Sequence, residues 1–475
     1  MSDSVHIRSL FLVSGILAAC GGKAAAPRSE TPVSTAPVQP SAAGQTAPEG
    51  QGGQNSAPAE PSASDAGTGK TVTAAGSGGA GGRGPTSSGG RQAPPTAAAG
   101  TGGAANAGQP ASAPNDPTSI PGAGPAQSQA TGFGAMATGG GSSPARSVGS
   151  LSELQAAVDA YSGSGGLVLE YTGRFDFETI PDPCTQHTRD GQKLEIKDKS
   201  NISILGAEGS AANFGIHIKA AAENIVIRNM TLGLLPGGGD SDMISLEGMS
   251  GGFPKNIWID HNELFSSNES CQGAGDTSFD GMIDIKKGVD SVTISYNYMH
   301  DHAKVSLNGY SDDDSQTRHV TFHHNVFENV GSRTPLQRHG FSHIANNLFS
   351  KVTVSGINVR MGGYALIEAN FFQDVKNPVT SRDSDAVGYW ELRDNNLASA
   401  ADVADGNRFG ITWDEGNEGT VNATNWTTSE KFPKDLGYRY DADSWACVRD
   451  GLRAVAGAGK KLATLTCSGE SALNL

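Results

Sequence analysis

The chain has 475 residues, of which 17% are charged, and its formal net charge is −15 at pH 7. This acidic balance excludes nucleic acid as an expected partner, because nucleic-acid binding requires a basic surface. A polyanionic ligand would be repelled as well, unless a metal ion offset the charge.

Residues 1–20 predict an export signal. Arg8 precedes an apolar stretch from Leu10 to Ala19 that is too short to cross a membrane as a helix. The run Leu17-Ala18-Ala19-Cys20 resembles the bacterial lipobox, which implies cleavage before Cys20 and acylation of that cysteine. The alternative is ordinary cleavage without a lipid. The lipobox favours the acylated form. We therefore expect a secreted or cell-surface lipoprotein of a bacterial envelope that contacts the membrane only through the lipid on Cys20.

Residues 21–130 predict a flexible tether. They consist almost wholly of Gly, Ala, Pro, Ser, Thr and Gln, and they contain no Phe, Tyr, Trp or Leu. Without apolar area to bury, nothing offsets the conformational entropy of ordering such a segment. Acids and bases balance in the tether and in the signal, so the entire negative charge falls in a folded domain at residues 131–475.

The folded domain starts with one predicted helix. Residues from Ser150 to Ala160 have helical spacing, and a Ser-x-x-Glu start at Ser150 or Ser152 approximates a capping box. We expect this helix to cover the open end of the core.

A near-repeat of short strands follows and indicates a single domain. Each unit alternates apolar and polar residues, reaches an Asn, and resumes with apolar residues, which predicts a strand, a bend and a second strand. The units begin at Asn201, Asn224, Asn256, Ser291, His319, Ser342 and Ala365. Unequal spacing between units is typical of a solenoid whose coils share a core but carry loops of different length.

The Asn residues predict a column of stacked amides. They are Asn229, Asn262, Asn297, Asn325, Asn347 and Asn370, at one phase of six units. An amide both donates and accepts hydrogen bonds, so each Asn can bond to the copies above and below it. A single Asn would be read as a turn residue, but six at one phase favour a ladder.

Four aspartates predict a metal site. Asp240 and Asp242 precede one strand, and Asp280 and Asp284 precede and enter a later one. Stacking would bring these carboxylates together, which is unfavourable unless a cation neutralises them. An all-oxygen donor set suits Ca²⁺ better than a transition metal.

Cationic residues follow on the next coils: Lys304, Arg333 and Arg338. Beside a metal they predict a groove for a polyanion, whereas alone they would be read as solvated surface charges.

Five cysteines are present, and acylation of Cys20 would leave four. Four cysteines allow three pairings in an exported protein. We favour Cys184 with Cys271 and Cys447 with Cys467.

The residues from Gly132 onward resemble the pectate lyases of polysaccharide lyase family 1, in particular the extracellular bacterial type. The motifs that carry the resemblance are Ile257-Trp-Ile-Asp-His261, Arg333 to Arg338, Gly356-Ile-Asn-Val-Arg360, Asn377 to Arg382 and Ala456 to Thr466. The resemblance implies an all-β, single-stranded right-handed parallel β-helix that acts as a monomer on polygalacturonate.

The resemblance also implies a role for each matching residue. Asp240, Asp242, Asp280 and Asp284 match calcium ligands, with Asp280 at a position where some relatives carry Glu. Lys304 and Arg338 match groups that bind the galacturonate carboxylate and stabilise charge in the transition state. Lys286 and Arg360 match further substrate contacts, and Arg333 matches the base that removes the C5 proton. We read Trp258, Asp260 and His261 as structural.

The implied reaction is calcium-dependent β-elimination. Because arginine ordinarily has a pKa above 12, a neutral Arg333 base implies an alkaline optimum. Two alternatives remain open: a calcium-independent pectin lyase acting on methyl-esterified chains, and a non-catalytic polysaccharide-binding lipoprotein.

Overall fold

The computed structural model describes residues 123–273, 278–386, 388–398, 411–413 and 436–467, except for the side chains of Asp240 and residues 411–413. The predicted export signal, Cys20 and the tether as far as residue 122 lie outside the described residues. The strands are numbered β1 to β27 and the α-helices α1 and α2, in chain order.

Three parallel sheets run along one solenoid. The ten-stranded sheet contains β2 (Ala145–Val148), β3 (Leu167–Tyr171), β5 (Ser200–Gly206), β7 (Glu223–Arg228), β10 (Lys255–Asp260), β13 (Asp290–Ser295), β16 (His319–His323), β19 (Phe341–Ala345), β22 (Tyr364–Glu368) and β25 (Tyr389–Arg393). The six-stranded sheet contains β8 (Thr231–Gly233), β11 (Glu263–Phe265), β14 (Tyr298–Lys304), β17 (Val326–Ser332), β20 (Leu348–Val352) and β23 (Phe371–Val375). The nine-stranded sheet contains β4 (Lys193–Lys197), β6 (Gly215–Lys219), β9 (Ile244–Glu247), β12 (Ile283–Lys286), β15 (Ser306–Asn308), β18 (Leu336–Arg338), β21 (Ile357–Arg360), β24 (Val379–Ser381) and β26 (Ile411–Trp413).

Each full coil contributes one strand to each sheet, so the predicted parallel β-helix is confirmed. The repeat unit that begins at Asn256 shows the pattern, because it forms β10, a bend at His261 and then β11. The predicted sequence of strand, bend and strand therefore corresponds to the junction between the ten-stranded and six-stranded sheets.

Apolar side chains of like kind stack inside the coils and form the core. Ile227, Ile259 and Ile294 are register partners on successive strands and are fully buried. On the six-stranded sheet the rings of Phe327 and Phe349 stack with centroids 5.0 Å apart. Because side chains alternate faces along a strand, a slip of one residue would expose the whole set, so this core fixes the register.

The predicted Asn ladder is present but displaced by one coil. The Asn262 side chain donates to Asn297 Oδ1 at 2.9 Å, and the same bond repeats through Asn325, Asn347 and Asn370 to Asn395. The prediction for Asn229 is wrong: Met230 occupies the ladder position, and its backbone N–H donates to Asn262 Oδ1. Asn229 takes the preceding bend position, with a φ of 58° that asparagine tolerates well.

Helix α1 (Leu151–Ala160) begins where the capping box predicts. The Ser150 hydroxyl accepts from the Glu153 N–H at 3.3 Å, and the Glu153 carboxylate accepts from the Gly149 N–H at 2.6 Å. Leu154, Ala157 and Val158 pack into the main core.

The C-terminal segment covers the outer face of the six-stranded sheet. Helix α2 (Trp445–Val455) packs Val448 and Leu452 against residues that include Leu348. Strand β27 (Ala463–Leu465) pairs antiparallel with β1 (Ala123–Ala126), which falls inside the stretch predicted as tether. In the described part of the chain, neither α-helix has the length and apolar character needed to cross a membrane.

Both predicted disulfides are present. Cys184–Cys271 joins residues 87 positions apart, and Cys447–Cys467 ties α2 to the segment after β27.

The motif Trp258, Asp260 and His261 belongs to the scaffold. Asp260 is fully buried, and its carboxylate accepts from Arg228 Nε at 2.8 Å and from the Ser295 hydroxyl at 2.6 Å. His261 Nε2 lies 3.0 Å from the carbonyl oxygen of Ala463, which can only accept, so that nitrogen carries the proton. This network fastens β27 to the ten-stranded sheet.

We expect Asn297→Ala to lower the free energy of unfolding by about 2–5 kcal/mol, because it leaves the buried backbone N–H of Asn262 without an acceptor and removes one of the two acceptors of the Asn262 side-chain amide. Asn268 is exposed, so Asn268→Ala is the matched control and should change stability by less than about 0.5 kcal/mol. Denaturant unfolding measures both, and equal stabilities for the two variants would contradict a structural role for the ladder.

Candidate active site

Neighbouring strands of the nine-stranded sheet position the predicted acidic residues. Asp242 lies two residues before β9, whereas Asp280 precedes β12 and Asp284 lies within it. Strands β9 and β12 pair in parallel, with Asp284 opposite Ser245. Residues from two separate stretches of sequence therefore meet at one corner of the solenoid.

Three of the four predicted metal ligands form a cluster. Oxygens of Asp242, Asp280 and Asp284 all lie within 4.8 Å of one another. Asp242 and Asp284 are buried, and Asp280 is half-buried. The backbone of Asp240 ends a 3-10 helix, Gly238–Asp240, but its carboxylate lies outside the part of the chain that the structure describes.

Two glycines make room for this cluster. A Cβ on Gly281 would overlap the carboxylate of Asp284. A Cβ on Gly215 would lie 2.6 Å from the carbonyl oxygen of Asp242, closer than real Cβ contacts come. The loops before β9 and β12 are also joined directly, because the Asp280 N–H donates to the Gly238 carbonyl at 3.1 Å.

Burial and mutual repulsion raise the pKa of two of the carboxylates. Burial, followed by the charges of Asp242 and Asp284, raises the pKa of Asp280 to about 8. Burial and the charge of Asp242 raise the pKa of Asp284 to about 7. Burial alone would raise the pKa of Asp242 as well, but the ammonium of Lys286 outweighs burial and lowers it.

Lys286, predicted as a substrate contact, lies in the acidic cluster. Its Nζ is 2.5 Å from Asp242 Oδ2 and 3.5 Å from Asp284 Oδ2. These carboxylates raise the pKa of Lys286, although burial acts in the opposite sense. One lysine thus offsets part of the negative charge of three aspartates.

The cluster fits a divalent cation by its donor chemistry. Its donors are carboxylate oxygens, which suit Ca²⁺. Asp242 Oδ1 is buried and has no hydrogen-bond partner among the residues described, so it leaves an acceptor position unmet. With Lys286 as the nearest cation, the three carboxylates retain excess negative charge.

Two buried histidines beside the cluster were not predicted. His217 Nε2 lies 3.2 Å from the carbonyl oxygen of Asp242, so this nitrogen is the donor. Burial and the charge of Lys193 lower the pKa of His217 to about 4. His302 lies 2.5 Å from the Ser266 hydroxyl, and burial lowers its pKa to about 4. The register could have indicated His217, because it is opposite Ser245, the partner of Asp284.

The predicted cations Lys304, Arg333 and Arg338 lie on the coils that follow the acidic cluster along the chain. Lys304 ends β14 opposite Ser332, and Arg333 comes next, at a φ of 61°. The Arg333 side chain forms no hydrogen bond or ion pair with any residue in the described ranges, and its charge acts to lower the pKa of Asp284. Arg333 is therefore an available cation near the acidic cluster.

Arg338 and Arg360 are register partners on β18 and β21. Arg338 Nε donates to Asp312 at 2.6 Å and Nη1 donates to the Gly309 carbonyl at 3.2 Å, which together fix its guanidinium. Arg360 is less accessible than its predicted substrate role requires, with 3% of its side chain exposed and Asp383 3.5 Å away.

Three carboxylates able to bind a cation thus lie close to Arg333, which has no partner among the residues that the structure describes, with the fixed Arg338 on a following strand of the same sheet. This arrangement can hold an anionic ligand through a bridging metal and through direct charge-assisted hydrogen bonds.

Comparisons with known proteins by sequence and by structure identify the same family. Residues 119–461 match the family described as pectate lyase. Pectate lyase B of Dickeya chrysanthemi is 45% identical over 314 residues, covering 64% of this chain and 81% of the relative. The solved structure of pectate lyase II from Xanthomonas campestris is 53% identical, covers 72% of this chain and 100% of its own, and has a TM-score of 0.65.

Pectate lyase C from Erwinia chrysanthemi was solved at pH 9.5 with 30 mM Ca²⁺; it is 40% identical, covers 72% of this chain and 99% of its own, and has a TM-score of 0.64. A mutant of Pectate Lyase C in complex with pentagalacturonic acid has the same identity and coverages and a TM-score of 0.63.

Proposed function

This chain belongs to the pectate lyase family, and we propose that it depends on calcium held by Asp240, Asp242, Asp280 and Asp284. As a pectate lyase, it cleaves (1→4)-α-D-galacturonan by β-elimination and leaves a 4,5-unsaturated galacturonate at the new chain end. The metal ligands and the roles of individual residues are the proposed part.

One observation carries the calcium proposal. The oxygens of Asp242, Asp280 and Asp284 are held within 4.8 Å of one another, although two of these carboxylates have raised pKa values. A fold tolerates such repulsion when the site binds a cation. The relative solved with Ca²⁺ supports the choice of ion.

Asp242, Asp280 and Asp284 would hold the calcium ion, which would supply positive charge beside the uronate of the substrate and so make its C5 proton more acidic. The protein must then supply a base and groups that stabilise the negative charge that develops. Arg333 is suited to the first task because its side chain has no partner among the described residues.

In the proposed step, neutral Arg333 removes the proton from C5 of the galacturonate. The electron pair of that C–H bond forms the C4–C5 double bond, and the C4–O bond breaks with its electrons on the leaving oxygen, which takes a proton from solvent water. Lys304 and Arg338 stabilise the carboxylate charge that increases in the transition state. Asp312 and the Gly309 carbonyl hold Arg338 in place for this role.

Lys286 and Arg360 remain proposed substrate contacts with different accessibility. Lys286 would have to exchange one carboxylate partner for another, from Asp242 to the sugar. Arg360 lies beside Arg338 on the neighbouring strand and is buried, so it would act on the substrate mainly through its charge.

We also propose an exported protein with a lipid on Cys20, a tether and a monomeric catalytic domain. The boundary predicted between residues 130 and 131 would fall before residue 123 instead, because β1 pairs with β27 of the folded domain. The two disulfides support an oxidising location. Mass spectrometry of the mature N-terminus tests the lipid: a diacylated Cys20 supports it, and a free cysteine contradicts it.

We expect a calcium chelator to abolish the growth of ultraviolet absorbance from unsaturated product on polygalacturonate, and added Ca²⁺ to restore it. Asp284→Asn should lower the rate at least about a hundredfold at limiting calcium, because it removes a buried ligand. Asp313 is exposed, and Asp313→Asn is the matched control. Activity on methyl-esterified pectin that survives chelation would instead favour a pectin lyase.

We expect calcium affinity without substrate to rise about a hundred- to a thousandfold from pH 6 to pH 8. The pKa values of about 8 for Asp280 and about 7 for Asp284 mean that both carboxylates are largely protonated at pH 6. Calcium must displace these protons, so binding strengthens as pH rises and levels off above pH 8. Calorimetry in buffers of different ionisation enthalpy measures the released protons, and Asp280→Asn should reduce their number.

We expect the rate to rise with pH through the alkaline range, since only neutral arginine can accept a proton. Arg333→Lys should lower kcat about 10²- to 10⁴-fold with little change in KM. Arg453→Lys, on the surface of α2, is the control and should keep the wild-type rate. An Arg333→Lys variant with most of its activity would show that another group is the base.

A further inference from the structure

A cavity of about 240 Å³ opens beside the acidic cluster, on its N-terminal side. Its lining includes Arg189, Gln192, Lys193, His217, Leu235 and Asp242. The first four of these residues belong to the coils of β4 and β6, whereas Leu235 and Asp242 lie on the connection between β6 and β9. The proposed reaction uses only Asp242 among them.

The register places this cavity in line with the acidic cluster. Strands β4, β6, β9 and β12 are consecutive in the nine-stranded sheet. Lys193 is the partner of Gly215, and Gly215 lies against the carbonyl of Asp242. An extended polymer lying along the sheet, with one uronate at the cluster, would next reach the cavity.

The charges of the cavity suit a carboxylate. Arg189 and Lys193 are both exposed, and Lys193 forms no ion pair within the part of the chain described. Within the described residues, the Arg189 guanidinium makes a single long hydrogen bond of 3.4 Å, to the side chain of Gln186. Asp190 and Asp242 oppose an anion, but Asp190 is exposed and Lys286 binds the carboxylate of Asp242.

The loop that carries Arg189 is held in place. The Gly237 N–H donates to the Gln186 carbonyl at 3.1 Å, and the Gly215 N–H donates to the Gln192 carbonyl at 2.9 Å. Cys184, at the start of the loop, is bonded to Cys271. A fixed loop loses little entropy when a ligand binds, which favours affinity.

We propose that this cavity is a further uronate-binding subsite, in which Lys193 and Arg189 bind the carboxylate of a galacturonate residue remote from the cleaved bond. The proposal rests on the proposed function, because it takes the substrate to be an extended galacturonan lying along the nine-stranded sheet. It predicts that the protein binds long chains more tightly than chains too short to reach the cavity.

The experiment measures the binding of hexagalacturonate and of trigalacturonate by calorimetry at saturating Ca²⁺. Lys193→Glu should weaken hexagalacturonate binding about tenfold more than trigalacturonate binding, since one charge-assisted contact becomes a repulsion. Arg189→Glu should act in the same direction. Lys351 is exposed on the six-stranded sheet, and Lys351→Glu is the matched control, with unchanged binding of both oligomers. Equal weakening for both oligomers, or none, would overturn the subsite.

Measuring calcium affinity in the absence of sugar distinguishes the loss of a direct contact with the sugar from an indirect effect on the metal site. A glutamate at position 193 adds negative charge near the cluster, so Lys193→Glu should bind Ca²⁺ as tightly as the wild type or more tightly. Weaker binding of both calcium and hexagalacturonate would mean that the variant disturbs the cluster, and would overturn the proposal.

These titrations, combined with a product assay, distinguish a failure of the subsite from a failure of the proposed calcium dependence. If wild-type protein binds hexagalacturonate but needs no calcium to release unsaturated product, the proposed calcium dependence fails while the difference between hexamer and trimer still decides the subsite. If wild-type protein binds hexamer no more tightly than trimer, the subsite fails and the proposed function stands.

Discussion

The functional site depends on the fixed phase between successive coils. Inward-facing columns such as Ile227, Ile259 and Ile294 can be buried in only one register, and the Asn ladder binds each bend to the next. A slip of one residue would turn every side chain of a strand to the opposite face. Carboxylates from stretches about forty residues apart therefore meet because apolar side chains and amides elsewhere on the same coils determine where they lie.

The acidic cluster is locally unfavourable for stability, because it holds like charges close together. Buried carboxylates repel one another, and the pKa values of Asp280 and Asp284 record that conflict. Lys286 relieves part of it, and a divalent cation would relieve more. A bound cation would act on the same carboxylates as Lys286, so its binding would be coupled to their protonation and to the position of the Lys286 ammonium.

Sequence patterns predicted the strands, the capping helix, the disulfides and the meeting of Asp242, Asp280 and Asp284, because all of these follow from periodicity or from residue chemistry. They failed where the outcome depends on an offset of one residue: Asn229 occupies the bend, and Met230 occupies its expected place in the ladder. They also did not indicate the ion pair of Lys286 with Asp242, the burial of Arg360 or the contact of His217 with the Asp242 carbonyl. Each of these depends on which side chain faces which across neighbouring strands, and no single stretch of sequence contains that information.

The Cys184–Cys271 bond joins the loop before β4 to the connection between β11 and β12. It therefore links a loop that precedes the acidic cluster along the chain to the connection between Asp242 and Asp280. In a reducing compartment both cysteines would stay thiols, and this link would be missing although the stacked coils could still form. Oxidation therefore fastens the loop that carries Arg189 only in a compartment where disulfides persist.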